Sequence, residues 1–134
     1  MATDPDALLA LARACLDRSY APYSRFHVAA AVADDRGRVF TGVNVENLSY
    51  GLSMCAERVA IFAAVAAGAR RITAIAVTSS GTELLSPCGA CRQVAAEFAA
   101  ADVPVYCETG GKLHRWTVAE LLPNGFSAPQ LGKS

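Results

Sequence analysis

No stretch of this sequence carries a block of charge of one sign. Its 12 basic and 12 acidic residues balance, and the densest basic spot is the pair Arg70-Arg71. A surface that tracks phosphates needs more than that, so nucleic acid is not an expected partner. No apolar run approaches the roughly 20 residues of a membrane span. The opening Met1-Ala2-Thr3-Asp4-Pro5-Asp6 is acidic and lacks the basic-then-apolar order of a secretion signal. The expectation is a cytoplasmic protein with no membrane partner. Repeats, linkers and low-complexity segments are also missing. Histidine is scarce: there are two, His27 and His114, and neither is near Cys55 or the Cys88/Cys91 pair, so neither is expected to ligate a metal. The five cysteines are odd in number, and in a cytosolic chain disulfides are not the first reading.

Apolar residues are plentiful, at 53% against 18% charged. The 134 residues suffice for one domain, 1–134, with a real core. Much of the apolar excess is alanine, which suits close helix packing and subunit contacts, so an oligomer is expected.

The periodicity predicts a helix capped by Thr3, with Pro5 in its first turn, ending near Tyr20; Cys15 falls on its apolar face as core. Arg25 to Ala33 reads as a strand. Phe26, Val28, Ala30 and Val32 share one face, and Ala29, Ala31 and Ala33 share the other, so both faces are covered. Asp34-Asp35-Arg36-Gly37 turns the chain into a second strand, Arg38 to Val45. A helix opens at Ser53 or Met54 and stops at Gly68. Ile72 to Thr78 is a continuous apolar strand of the central kind. A third helix is capped by Ser86 with Pro87 first. Val103 to Cys107 and Lys112 to Trp116 are strands, and Cys107 is structural. Thr117-Val118-Ala119-Glu120 is a capping box for a short last helix. This order predicts an α/β fold: a three-layer α-β-α sandwich whose mixed five-stranded sheet has helices on both faces. The helix starts near Cys55 and Cys88 would then converge at one edge of the sheet, where ligand sites form.

Two stretches carry chemistry. Ser86-Pro87-Cys88-Gly89-Ala90-Cys91-Arg92-Gln93 sets two thiols at C-x-x-C spacing at a helix start. Ser53-Met54-Cys55-Ala56-Glu57-Arg58 adds a third thiol 33 positions earlier, two residues before a carboxylate. A catalytic zinc has three protein ligands and keeps a fourth position for water. Without a nearby histidine to complete a closed four-ligand site, the set Cys55, Cys88, Cys91 favours an open one. Three thiolates on Zn²⁺ leave a net negative centre, a poor Lewis acid unless corrected. Helix N-termini supply partial positive charge, and Arg58, or alternatively Arg92, is placed to donate to a coordinating sulfur. Glu57 at the helix mouth is suited to take a proton from water and pass it on.

These two motifs resemble the zinc signature of the cytidine deaminases, with three cysteines and a Glu as general acid/base. Ala21-Pro22-Tyr23-Ser24-Arg25-Phe26, Gly42-Val43-Asn44-Val45-Glu46-Asn47, and Leu121-Leu122-Pro123 followed by Phe126 are also similar to this family, specifically to its small homotetrameric branch. The match runs in order from about Tyr20 to Phe126. It implies one Zn²⁺ per subunit on Cys55, Cys88 and Cys91, and Glu57 as the proton shuttle. It implies a small-molecule nucleoside substrate, with Asn44 and Glu46 on the ribose hydroxyls, Phe26 beside the pyrimidine and the backbone around Ala56 helping to hold the base. Tyr50 and Phe126 would be brought to a neighbour's pocket, so that active sites are completed across a homotetramer. The implied activity is hydrolytic deamination of cytidine and 2′-deoxycytidine in pyrimidine salvage. One departure is Ala29, where the family usually has glycine; its methyl faces either a helix or the pocket side of the strand. The alternatives are a blasticidin S deaminase-like aminohydrolase, against which the intact Asn44/Glu46 pair speaks, and a non-catalytic zinc module, which has no use for Glu57. A polynucleotide deaminase would need a basic groove that this neutral chain lacks.

Overall fold

In the computed structural model, residues 4–83 and 85–126 are described, and they build one five-stranded sheet between two helical layers. The elements in chain order are α1 (Pro5–Cys15), β1 (Val28–Asp34), β2 (Val39–Val43), α2 (Ala56–Ala66), β3 (Ile72–Ser79), α3 (Gly89–Phe98), β4 (Pro104–Thr109), β5 (Lys112–Thr117) and α4 (Val118–Leu121). The strand order is β2-β1-β3-β4-β5. Only β3 and β4 run parallel, which makes the sheet mixed.

Alternation along the inner strands feeds two cores. Ala29, Ala31 and Ala33 of β1 and Ala74 and Ala76 of β3 face α1, packing against Leu8, Leu9 and Ala12. Alanine on every one of these positions lets the helix lie close to the sheet. Ala29 is therefore a packing residue beneath α1 and does not line the cleft described below. On the other face, Val28, Ala30, Val32, Ile75, Val77, Val105 and Cys107 pack against α2, α3 and α4. Every residue of β1 is buried, as its two-sided apolar pattern requires.

Several boundaries differ from the sequence reading, each for a local reason. Thr3 lies outside the described residues, and the cap of α1 is Asp4, whose carboxylate accepts from the Asp6 N–H. The first strand begins at Val28 and not at Arg25. Arg25 has a left-handed φ of 60° and the Phe26 N–H is bound by the Ser24 hydroxyl, so neither is in the ladder. The second strand stops at Val43 because the following segment pairs elsewhere: Tyr20 N–H donates to the Asn44 carbonyl and Glu46 N–H to the Tyr20 carbonyl, at 3.1 and 2.8 Å. Val45 then exchanges both backbone hydrogen bonds with Met54. That bridge keeps Met54 extended, so α2 opens at Ala56 with Cys55 at its N-cap. Ser86 does not cap α3. Its hydroxyl accepts from Arg92 Nη2 at 3.0 Å, and Cys88 holds the N-cap position. Pro104 is tolerated because it begins β4. The capping box of Thr117 and Glu120 is present as read.

Gly42 shows how closely the layers meet. A Cβ there would lie 2.4 Å from the Ala60 nitrogen and 2.6 Å from the Ala56 oxygen, so β2 rests directly on the backbone of the first turns of α2.

Candidate active site

Cys55 and Cys88 occupy equivalent places. Each is the N-cap of a helix, with extended backbone (φ −77°, ψ 150° and φ −67°, ψ 167°), and neither side chain is used to cap. Both thiols are therefore free to point past the helix ends, and Cys91 joins them from the first turn of α3. The Cys55 and Cys88 sulfurs are 3.6 Å apart, and those of Cys88 and Cys91 3.4 Å. All three lie within 4.8 Å of one another. Tetrahedral zinc with bonds of about 2.3 Å to sulfur sets its thiolates about 3.8 Å apart, so the cluster fits this metal.

The surroundings favour thiolate. Both helix N-termini aim their partial positive charge at the cluster. Arg58 Nη2 donates to Cys55 Sγ at 3.4 Å. A hydrogen bond from Cys91, opposed by burial and supported by Arg58 and Cys88, holds the Cys55 thiol down at about 5. Cys91, sharing its proton with Cys55 and largely buried, is raised well above the usual thiol range. The Cys55 contact also raises Arg58, which stays a cation. Arg92 does not serve this role. Its guanidinium binds the carbonyls of Pro87 and Leu121 and the Ser86 hydroxyl, tying the approach to α3 onto α4.

Glu57 follows Cys55 on the first turn of α2 and is only 6% exposed. Behind it lies an apolar wall that includes Ile61, Ile75, Ala95 and Val105. Burial pushes its carboxyl up to about 7, with the charge on Cys55 adding to the rise and Arg58 opposing it. A carboxyl in that range both holds and releases a proton near neutral pH.

A cleft opens on this cluster. It is lined by Cys55, Ala56, Glu57 and Cys88 together with Phe26, Asn44 and Glu46. Asn44 Oδ1 accepts from the Val28 N–H at 2.9 Å and its Nδ2 donates to the Phe26 carbonyl at 2.8 Å. Glu46 Oε1 accepts from the N–H groups of Tyr23 and Ser24 at 3.0 and 3.1 Å, and Oε2 from the Ser24 hydroxyl. The Ser24 hydroxyl contact, against the cost of burial, holds the Glu46 carboxyl below its ordinary range. Asn44 and Glu46 thus anchor the loop that carries Phe26, as well as facing the cleft.

Tyr50 and Phe126 do not line this cleft. Tyr50 is 73% exposed and meets the Tyr23 ring edge-on at 6.0 Å; Phe126 is 61% exposed, with its carbonyl held by Gln93 Nε2. His27 and His114 are away from the thiols: His27 Nδ1 contacts Ser19 Oγ and His114 stacks on Trp116. Cys15, the last residue of α1, is partly buried against the core between that helix and the sheet, and burial raises the fully enclosed Cys107 thiol to about 12. Val28, Ser53, Met54, Leu85 and Ser86, which sequence reasoning does not single out for the site, also line the cleft. Met54 and Leu85 carry no chemical signal that would have picked them out. By sequence, Ser53 or Met54 and Ser86 stand at expected helix starts.

Residues 2–107 match the family model for the cytidine and deoxycytidylate deaminase zinc-binding region. The chain is 43% identical over 129 residues to a cytidine deaminase of Sporosarcina psychrophila, covering 96% of this chain and 95% of that protein. It is 48% identical over 114 residues to a cytidine deaminase of Halalkalibacterium halodurans, covering 84% and 86%. The fold superposes on the crystal structure of cytidine deaminase from Burkholderia pseudomallei with a TM-score of 0.86, at 43% identity over 92% of this chain and all of that one. For the Mycobacterium tuberculosis enzyme the TM-score is 0.80 at 37% identity, covering 94% and 99%. With the family model spanning most of its length and relatives this similar over nearly all of it, the chain belongs to the cytidine and deoxycytidylate deaminase family.

Proposed function

We propose that the protein hydrolyses cytidine and 2′-deoxycytidine to uridine and 2′-deoxyuridine with release of ammonia. The observation that carries this reading is one cleft bringing a three-thiol cluster and a buried carboxyl with a displaced pKa against an aromatic ring and a polar pair. Cys55, Cys88 and Cys91 hold zinc, which when bound lowers the pKa of a water into the neutral range. Glu57 takes a proton from water, gives it to the ring nitrogen and moves a second to the departing amine. Its burial suits that work, because neither protonation state is strongly preferred near neutrality. Arg58 donates to the Cys55 sulfur and offsets the charge of three thiolates.

Phe26 flanks the pyrimidine. The N–H of Ala56, one of the first-turn amides of α2 without an intrahelical partner, faces the base. Asn44 offers an N–H and Glu46 a carboxylate to the sugar hydroxyls. A nucleoside lacking them would leave the second Asn44 N–H and the spare acceptor capacity of the Glu46 carboxylate without a partner, which is how such sites discriminate.

The whole chain acts as one domain and works as a homotetramer. Leu48, Leu52, Tyr50 and Phe126, exposed at 78%, 69%, 73% and 61%, suit cover by neighbouring subunits, with Tyr50 and Phe126 completing a neighbour's pocket. No described helix is long and apolar enough to cross a membrane. A cytoplasmic role in pyrimidine salvage agrees with a site built from free thiols.

The test is ammonia release by zinc-loaded protein given cytidine, 2′-deoxycytidine, cytosine and blasticidin S. Turnover of the first two is expected. Preference for blasticidin S would replace the substrate, and no turnover of any at full zinc content would leave a binding module.

A further inference from the structure

The amide of Asn44 is held in one orientation. Its oxygen faces the Val28 N–H and its nitrogen faces the Phe26 carbonyl, so turning it over would set donor against donor and acceptor against acceptor. The same oxygen also takes a hydrogen bond from the Ser19 hydroxyl. Ser19 has a single proton, and an amide oxygen can only accept, so that proton is committed to Asn44. The other partner of Ser19 Oγ is His27 Nδ1, 2.9 Å away. Ser19 must accept there, and His27 must carry its proton on Nδ1. The backbone of His27 is itself pinned by Ser80, whose N–H donates to the His27 carbonyl at 2.9 Å and whose hydroxyl accepts from the His27 N–H at 3.0 Å.

Neither Ser19 nor His27 lines the cleft, and the side-chain contacts of the pair lead to Asn44, which does. We propose that Ser19 and His27 are positioning residues for the sugar subsite: the chain His27 Nδ1–H to Ser19 O–H to Asn44 Oδ1 runs in one direction and holds the second N–H of Asn44 toward the cleft as a donor. Glu46 beside it is only an acceptor. A donor next to an acceptor matches hydroxyl groups, which offer both. The proposal rests on the reading of Asn44 as a sugar-binding residue.

Two measurements test it on the zinc-loaded full chain. The first is the ¹⁵N spectrum of the imidazoles at about pH 8.5, some two units above the ordinary histidine pKa, with His114→Gln used for assignment. His27 is expected as the Nδ1–H tautomer, and a bare Nδ1 with the proton on Nε2 would overturn the relay. The second is kinetic. Ser19→Ala should raise KM for cytidine about three- to tenfold, the loss of one hydrogen bond, with kcat within a factor of about two, and Ser19→Thr should restore KM. An unchanged KM in a folded Ser19→Ala protein would overturn the positioning role. If Ser19→Ala does not fold, His27→Gln and His27→Leu take its place. Gln can still donate to Ser19 and should keep KM low, Leu should raise it, and equal KM values for the two would count against the proposal. Asn44→Ala separates the two levels. If that variant keeps a normal KM, the sugar-binding reading fails, whereas the tautomer still reports on the relay.

Discussion

Arg58 is the residue on which the electrostatics of the thiol cluster turn. It lies three positions after Cys55, so the helix returns its side chain to the same face, and its Nη2 reaches the Cys55 sulfur. Removing it leaves the thiolates with the helix ends alone. Arg58→Ala is expected to weaken zinc binding about 10- to 100-fold, measured by competition with a chromogenic chelator, the size of effect typical of groups that bond to metal ligands. Equal affinity in the two proteins would mean that the helix termini suffice. The neighbouring Arg92 looks interchangeable in sequence. Its three contacts to Pro87, Leu121 and Ser86 explain why it is not, because a guanidinium already committed to two carbonyls and a hydroxyl has no free geometry for a sulfur.

At the scale of elements, the cleft depends on where α2 begins and on how β2 supports it. Gly42 touches the α2 backbone with no room for a methyl. Gly42→Ala is expected to cost about 1–3 kcal/mol of stability, as overpacking does, and to shift the first turn of α2 that carries Glu57. A thermal scan with activity on the same samples checks both, and a variant of unchanged Tm and rate would refute the close approach. The turn between β1 and β2 supplies a second test. Burial alone would raise the Asp34 carboxyl, but hydrogen bonds from the N–H groups of Arg38 and Arg36 and from Arg38 Nε outweigh it and hold it below the ordinary value. A lowered folded pKa adds stability that is present above the unfolded value of about 4 and is lost as pH falls through the folded one. The Tm gap between wild type and Asp34→Asn should therefore be widest near neutral pH and close below about pH 4, and a gap independent of pH would count against the assignment. Much of this level was readable beforehand. The two-sided apolar run of Val28 to Ala33, the unbroken run of Ile72 to Thr78 and the Thr117 box each follow from periodicity or capping chemistry. The helix starts were not, because serine is the better cap by chemistry, and both Ser53-Met54-Cys55 and Ser86-Pro87-Cys88 offer one. Tertiary contacts decided against it: Met54 is drawn into a bridge with Val45, and Ser86 is taken by Arg92. The left-handed Arg25 likewise has no sequence signal, since its conformation is set by the hydrogen bond of its N–H to Ala21 and by the anchoring of its loop on Glu46.

For the whole molecule, the local sequence motif gave the thiols and the carboxyl, but only the fold brings residues 26, 44 and 46 against residues 55, 57 and 88. Tyr50 and Phe126 stay outside that cleft, so their proposed part requires another copy of the chain. If sites are shared, mixing Glu57→Gln protein with Phe126→Ala protein and allowing subunits to exchange should restore activity above the average of the two parents, because some sites then combine an intact Glu57 with a neighbour's Phe126. Activity equal to the average would argue that each chain works alone. The central claim is that a buried carboxyl beside a three-thiol zinc centre moves the protons of a deamination. Its most direct test is the rate of ammonia release from cytidine by wild type and by Glu57→Gln at equal, measured zinc content. A loss of about 10²- to 10⁴-fold is expected with zinc and fold retained; a Glu57→Gln rate near that of wild type would rule out the proton-transfer role of Glu57.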